Sequence, residues 1–220
     1  MEGGLLKILT ELQERVLSAL FSVEDVRRHF YLTGGTALAA FYLTHRLSDD
    51  LDLFTHSIDV EAVERGIESA LAENGRGVEC VRRAPGFRSY SVAGTLRVDV
   101  VKDVDFRVGS PELIGGIMVD SKKNIAVNKV LAIYGRLDPK DYVDLFFQLR
   151  GGDYDILDLL SLAAKKDAGL ENFQWARVVA DAETISVLPR MVVPCDLEEM
   201  KRFFRGLRDK VIDAVKPKKT

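Results

Sequence analysis

Apolar positions recur at helical spacing from the first turns of the chain. Leu5, Ile8, Leu12, Val16 and Leu20 fall near one face and predict an amphipathic helix from Leu5 to Phe21. The short apolar run Phe30-Tyr31-Leu32 leads into Gly34-Gly35. The stripe Ala37, Leu38, Phe41 and Tyr42 then predicts a helix from Thr36 to Thr44, with Thr36 placed to cap it. Leu51-Asp52-Leu53-Phe54 reads as strand, and Glu61 to Glu73 as a helix stopped by Asn74-Gly75. Three strand candidates follow, Val78 to Arg82, Arg88 to Val92 and Leu96 to Val101, the last two joined by a turn at Ala93-Gly94-Thr95. From about Ser121 the pattern is helical. It predicts helices at Asn124 to Arg136, after an Asp138 N-cap with Pro139 in the first turn, and at Ile156 to Lys166, Phe173 to Ile185 and Leu197 to Val211. Strand and helix mixed in one half, and helix alone in the other, predict an α+β fold with a boundary near residue 120: a mixed domain over 1–120 and a helical one over 121–220.

Composition narrows the function less than the pattern does. With 47% hydrophobic and 30% charged residues in 220, the chain is an ordinary globular sequence able to bury a sizeable core. A formal charge of -3 gives no global attraction to nucleic acid, so any such contact must come from a local basic patch. Cys80 and Cys195 form neither a metal motif nor a disulfide framework, which suits a reducing cytoplasm. No apolar run approaches the roughly 20 residues a membrane helix needs, so no membrane partner is expected.

The chemistry concentrates in "YLTGGTALAAFYLTHRLSDDLDLF", Tyr31 to Phe54. Side chains alternate along a strand, so Asp50 and Asp52 project from one face while Leu51 and Leu53 point into a core. Adjacent carboxylates repel unless a cation sits between them, and Mg²⁺ binds through one or two carboxylates plus substrate phosphates. A third carboxylate allows two ions roughly 3.5–4 Å apart. Asp99 in "TLRVDVVKD" is the candidate, an acid between Val98 and Val100; Asp103 and Asp105 repeat a D-x-D spacing beyond the strand and rank below it. Asp49 reads as a solvated neighbour. Gly34-Gly35 ahead of a helix start would let backbone N–H groups approach a phosphate closely. Phosphate cradle, spacer helix and metal carboxylates form a layout suited to nucleotidyl transfer.

Gly34-Gly35-Thr36-Ala37-Leu38, followed by His45-Arg46, Ser48 and Asp50-Leu51-Asp52-Leu53-Phe54, resembles the AbiEii/AbiGii-type nucleotidyltransferase toxins of the DNA polymerase β-like superfamily. A later block, "NKVLAIYGRLDPKDYVDL", is similar to the family's further motifs through Lys129, Arg136, Lys140, Asp141 and Asp144. The resemblance implies a polymerase β-like core, a mixed sheet flanked by helices, with a C-terminal helical domain completing the active-site cleft. It implies a catalytic set of Asp50, Asp52, Asp99, Lys129 and Asp141, with Asp50, Asp52 and Asp99 as the metal ligands. Gly34, Gly35, Thr36 and Lys129 would contact the nucleotide, with Mg²⁺ as the cofactor and a nucleoside triphosphate as the substrate. A toxin role would bring an antitoxin partner and an acceptor that could be tRNA.

Two other readings stand beside it: transfer to a small molecule, as in antibiotic nucleotidyltransferases, and a catalytically silent nucleotide-binding protein acting through a partner. His45-Arg46 serves equally as a helix-terminal dipole partner or as support for the acids. Lys140 and Asp144, four apart on a helix, are placed for an ordinary ion pair. Trp175 and Phe203-Phe204 read as core. The basic C-terminal segment, ending in Lys216-Pro217-Lys218-Lys219, reads as a solvated helix end, with RNA-backbone contact as the lesser alternative.

Overall fold

The structure, a computed structural model, describes residues 8–74 and 77–216. Leu5 and the start of the expected first helix, Gly75, and Pro217, Lys218 and Lys219 of the tail lie outside the described residues. The chain divides into two compact units, Met1–Lys122 and Lys123–Thr220.

The first unit is built on a mixed seven-stranded sheet. Its strands are β1 (Tyr31–Thr33), β2 (Asp50–Thr55), β3 (Val78–Ala84), β4 (Phe87–Val92), β5 (Leu96–Lys102), β6 (Glu112–Ile114) and β7 (Ile117–Val119), in the order β3-β4-β5-β2-β1-β7-β6. Two neighbour pairs, β2 with β5 and β1 with β7, are parallel, and the rest are antiparallel. Helix α1 (Glu11–Ser22) opens with a capping box between Thr10 and Gln13. A short α2 (Glu24–His29) precedes β1, and α4 (Val60–Asn74) packs on β3, β4 and β5. Arg88 shows which sheet face α4 covers: from β4, beside Val100 in the register, it reaches Glu61 and Glu64 of α4. That face also carries the fully buried Leu51, Leu53, Val98 and Val100.

The helix expected from Thr36 begins two residues earlier. Helix α3 (Gly34–Leu38) follows β1 directly, its cap position is Thr33, and it runs into a π turn at Ala39–Leu43. The reason is Gly34, whose φ of +71° turns the chain straight from strand into helix. Thr36 therefore sits inside the helix, where its hydroxyl donates to the backbone carbonyl of Asp50. The π turn ends on Thr44 in the left-handed region, its N–H donating to the Ala39 carbonyl at 2.9 Å. The hairpin β6–β7, turning through Gly115-Gly116, and the six-residue α2 are additions to the elements read from the sequence.

The second unit is helical: α5 (Lys122–Gly135), α6 (Pro139–Leu149), α7 (Ile156–Lys166), α8 (Asn172–Val179) running on into a 3₁₀ turn at Ala180–Thr184, and α9 (Leu197–Val215). Asp138 caps α6 through the Lys140 N–H, with Pro139 in the first turn. Trp175 is fully buried and its indole N–H donates to the Val130 carbonyl at 3.0 Å. Phe204 stacks edge-on against Tyr142, with ring centroids 5.1 Å apart. Trp175 and Phe204 are core, as their spacing suggested.

Candidate active site

The sheet face opposite α4 collects the acids. Register in the parallel pair sets Asp52 beside Asp99 and Asp50 beside Arg97. In β2 burial alternates, Leu51 and Leu53 fully buried and Asp50 and Asp52 half-buried, as a strand with one face in the core requires. The three predicted carboxylates therefore lie on one face of two adjacent central strands.

Gly34 hangs over this face. A Cβ on Gly34 would lie 2.2 Å from Oδ2 of Asp52, so only a glycine lets the turn pass this close to the carboxylate. Gly35 has a different neighbour. A Cβ there would lie 2.2 Å from Nη2 of Arg46 and 3.1 Å from Oγ of Ser48. His45 and Arg46 are both buried, and Nη1 of Arg46 donates to the Leu47 carbonyl at 2.8 Å. Arg46 thus lies beneath the diglycine as a buried cation rather than as a surface dipole partner. The same segment is tied down by Gln13, whose amide donates to the Ser48 carbonyl at 2.8 Å.

Two residues that the sequence pattern did not single out complete the face. Ser89, on β4 beside Asp99, donates to Asp99 Oδ1 at 2.5 Å. Arg97 donates from Nη2 to Asp50 Oδ2 at 2.7 Å, and its Nε stands 3.5 Å from Asp99 Oδ2. Alternation along β5 was the available signal: Arg97 and Asp99 share a face.

Hard divalent ions take oxygen donors, and the donor set here is all carboxylate. Among the described residues no three His, Cys, Asp or Glu side chains converge closely enough to grip an ion as they stand. A guanidinium already bridges two of the three acids, so a cation fits between them. The donor chemistry therefore suits Mg²⁺, with Asp50, Asp52 and Asp99 as the groups that would hold it.

Lys129, Asp141 and Asp144 come together in the second unit. Lys129 Nζ lies 2.7 Å from Asp141 Oδ1 and 2.7 Å from Asp144 Oδ2, and Arg136 Nε lies 2.9 Å from Asp141 Oδ2. Asp144, expected opposite Lys140 on its own helix, is fully buried and pairs across to α5. Of the basic tail, Lys216 is paired with Asp213 at 2.7 Å.

Residues 15–214 match the family described as nucleotidyl transferase AbiEii toxin, type IV TA system. The chain belongs to the AbiEii nucleotidyl transferase toxin family. An uncharacterized protein of Aquifex aeolicus is 32% identical over 144 residues, which span 62% of this chain and 66% of that relative's length. The fold is similar to that of JHP933 from Helicobacter pylori, with a TM-score of 0.59 at 18% identity, covering 98% of this chain and 94% of that one. A second H. pylori structure gives a TM-score of 0.61 at 18% identity, covering 94% and 97%. The α+β core with a C-terminal helical unit is thus a nucleotidyltransferase fold, as the sequence led one to expect. No described helix is long and apolar enough to cross a membrane.

Proposed function

We propose that this AbiEii-family chain moves a nucleoside monophosphate from a triphosphate to an acceptor hydroxyl, releasing pyrophosphate, in the service of a toxin held in check by an antitoxin partner. The observation that carries the reading is the register that sets Asp52 beside Asp99, with Asp50 on the same face, beneath a glycine that leaves no room for a side chain. Bound Mg²⁺ would supply charge stabilisation at the phosphates and an activated attacking oxygen. Asp50, Asp52 and Asp99 provide its donors, and Ser89 fixes the Asp99 carboxylate by taking up Oδ1. Gly34 and Gly35 open the backbone for the triphosphate. Arg46 lies behind them, buried, with Nη2 beneath Gly35.

Thr36 supports the loop through Asp50 rather than through the phosphates, since its hydroxyl is given to that residue's carbonyl. Lys129 acts first as a structural cation. A contact with phosphate would compete with its pairs with Asp141 and Asp144. RNA, with tRNA as the leading case, is the proposed acceptor class.

The test is incubation with α-labelled nucleoside triphosphates, Mg²⁺ and total RNA, with and without chelator. Label should enter RNA with the native protein and stay out with Asp52→Ala and with Asp50→Ala, each folded by circular dichroism. Undiminished label transfer by either variant would reject this site. Label in a small-molecule fraction instead of RNA would reject the acceptor class alone.

A further inference from the structure

Arg97 bridges two of the proposed metal ligands. It spans Asp50 Oδ2 at 2.7 Å and Asp99 Oδ2 at 3.5 Å, while its own side chain is 55% exposed. A half-exposed guanidinium on a strand can swing outward without disturbing the core, unlike the buried Arg46. Ser89 holds the other oxygen of Asp99, so that carboxylate stays in place when Arg97 leaves.

We propose that Arg97 is a competing counter-ion of the metal site: a divalent ion enters only by displacing it, and the displaced guanidinium then pairs with the triphosphate. The proposal rests on the reading of Asp50, Asp52 and Asp99 as metal ligands. Two cations drawn to the same carboxylates repel each other, so metal and Arg97 compete there. A guanidinium is suited to phosphate oxygens through its fork of donors, so the triphosphate offers Arg97 a new partner at the moment the metal takes the old ones. Metal and triphosphate therefore bind cooperatively. By linkage each raises the affinity of the other by the same factor.

The experiment measures Mn²⁺ affinity from the loss of the free-ion paramagnetic resonance signal. It uses the full chain, with and without a mixture of the four α,β-methylene nucleoside triphosphates, which cannot transfer. Without nucleotide, Arg97→Gln should bind Mn²⁺ about threefold to tenfold more tightly than the native protein, the range that one or two partly exposed ion pairs are worth. The enhancement of Mn²⁺ binding by nucleotide should shrink in the same variant. Arg97→Lys keeps the charge without the fork and should fall between the two. Equal or weaker Mn²⁺ binding by Arg97→Gln without nucleotide, or an undiminished nucleotide enhancement, overturns the role of Arg97 and leaves the metal site standing. No Mn²⁺ binding by the native chain or Arg97→Gln, with nucleotide or without, overturns the metal site and Arg97's role together. Tight binding that survives Asp52→Ala does the same.

Discussion

Replacing Lys129 by methionine gives the sharpest test of the helical unit, because the size of the effect follows from burial. Lys129 is 7% exposed, and its partners Asp141 and Asp144 are 1% and 0% exposed. Methionine fills nearly the same volume, so the change removes a charge and leaves little cavity. Two carboxylates then face each other out of water, and Asp141 keeps a second cation, Arg136. Removing one partner from a buried ionic group costs about 3–5 kcal/mol. In a unit of this size each kcal/mol lowers the melting temperature by about 4–8 °C, so the loss should exceed about 12 °C. The assay is urea unfolding followed by Trp175 fluorescence. Trp175 is the single tryptophan in the chain and is hydrogen-bonded to Val130, the residue after Lys129, so the signal reports this unit. The double variant Lys129→Met/Asp144→Leu removes one of the two facing carboxylates and leaves Asp141 with Arg136. It should be more stable than Lys129→Met although Asp144→Leu alone should be less stable than the native chain, a reversal that independent sites cannot produce. A single-variant loss under about 1 kcal/mol, or a double variant weaker than the single, would refute the buried triad.

Three further outcomes are expected. Gly34→Ala should cost about 1–2 kcal/mol for the left-handed backbone alone, and should nearly abolish nucleotidyl transfer because the new methyl displaces Asp52; denaturation curves and label transfer read the two effects separately. Ser89→Ala frees one oxygen of Asp99 and should slow transfer about 10–100-fold with stability nearly unchanged, measured as initial rates at saturating Mg²⁺. The hydrogen bond from Arg88 holds the Glu64 carboxyl below its ordinary value, against the opposing effect of burial. Such a depressed group stabilises the fold above its unfolded pKa, near ~4.3, and the stabilisation is lost as pH falls through the lower folded value. Glu64→Gln should therefore be less stable at pH 7 and show a smaller further loss by pH 3 in paired urea titrations.

The site was legible where chemistry and periodicity coincide. Asp50 and Asp52 alternate with Leu51 and Leu53, and that alone put the acids on one face and the leucines in the core. Asp99 could be read from its flanking valines, although its pairing with Asp52 rests on a crossover that no local pattern encodes. Gly34 was legible as a glycine but not as the start of the helix, because a positive φ is a property of the folded turn. The burial of Arg46 and of Asp144 was not legible, for a shared reason. Charged residues default to the surface, and the sequence does not display the partners that make burial tolerable. Arg97 and Ser89 went unremarked because Arg97 meets Asp50, and Ser89 meets Asp99, only across neighbouring strands.

The two parallel pairings carry a consequence for how the protein acquires its activity. The hairpins β3–β4 and β4–β5 join residues close in sequence, so they can form early and locally. Arg97 meets Asp50 across 47 positions, and Thr33 meets Asp120 across 87. Contacts of that span must first meet the entropy of closing a long loop, and they slow folding. Asp52 reaches Asp99 only when β2 docks beside the finished hairpins. A chain whose product harms its host would thus be inert through most of its folding, its acids separated until one of the last non-local steps. Parting β2 from β5 would disarm it again without melting the strands on either side.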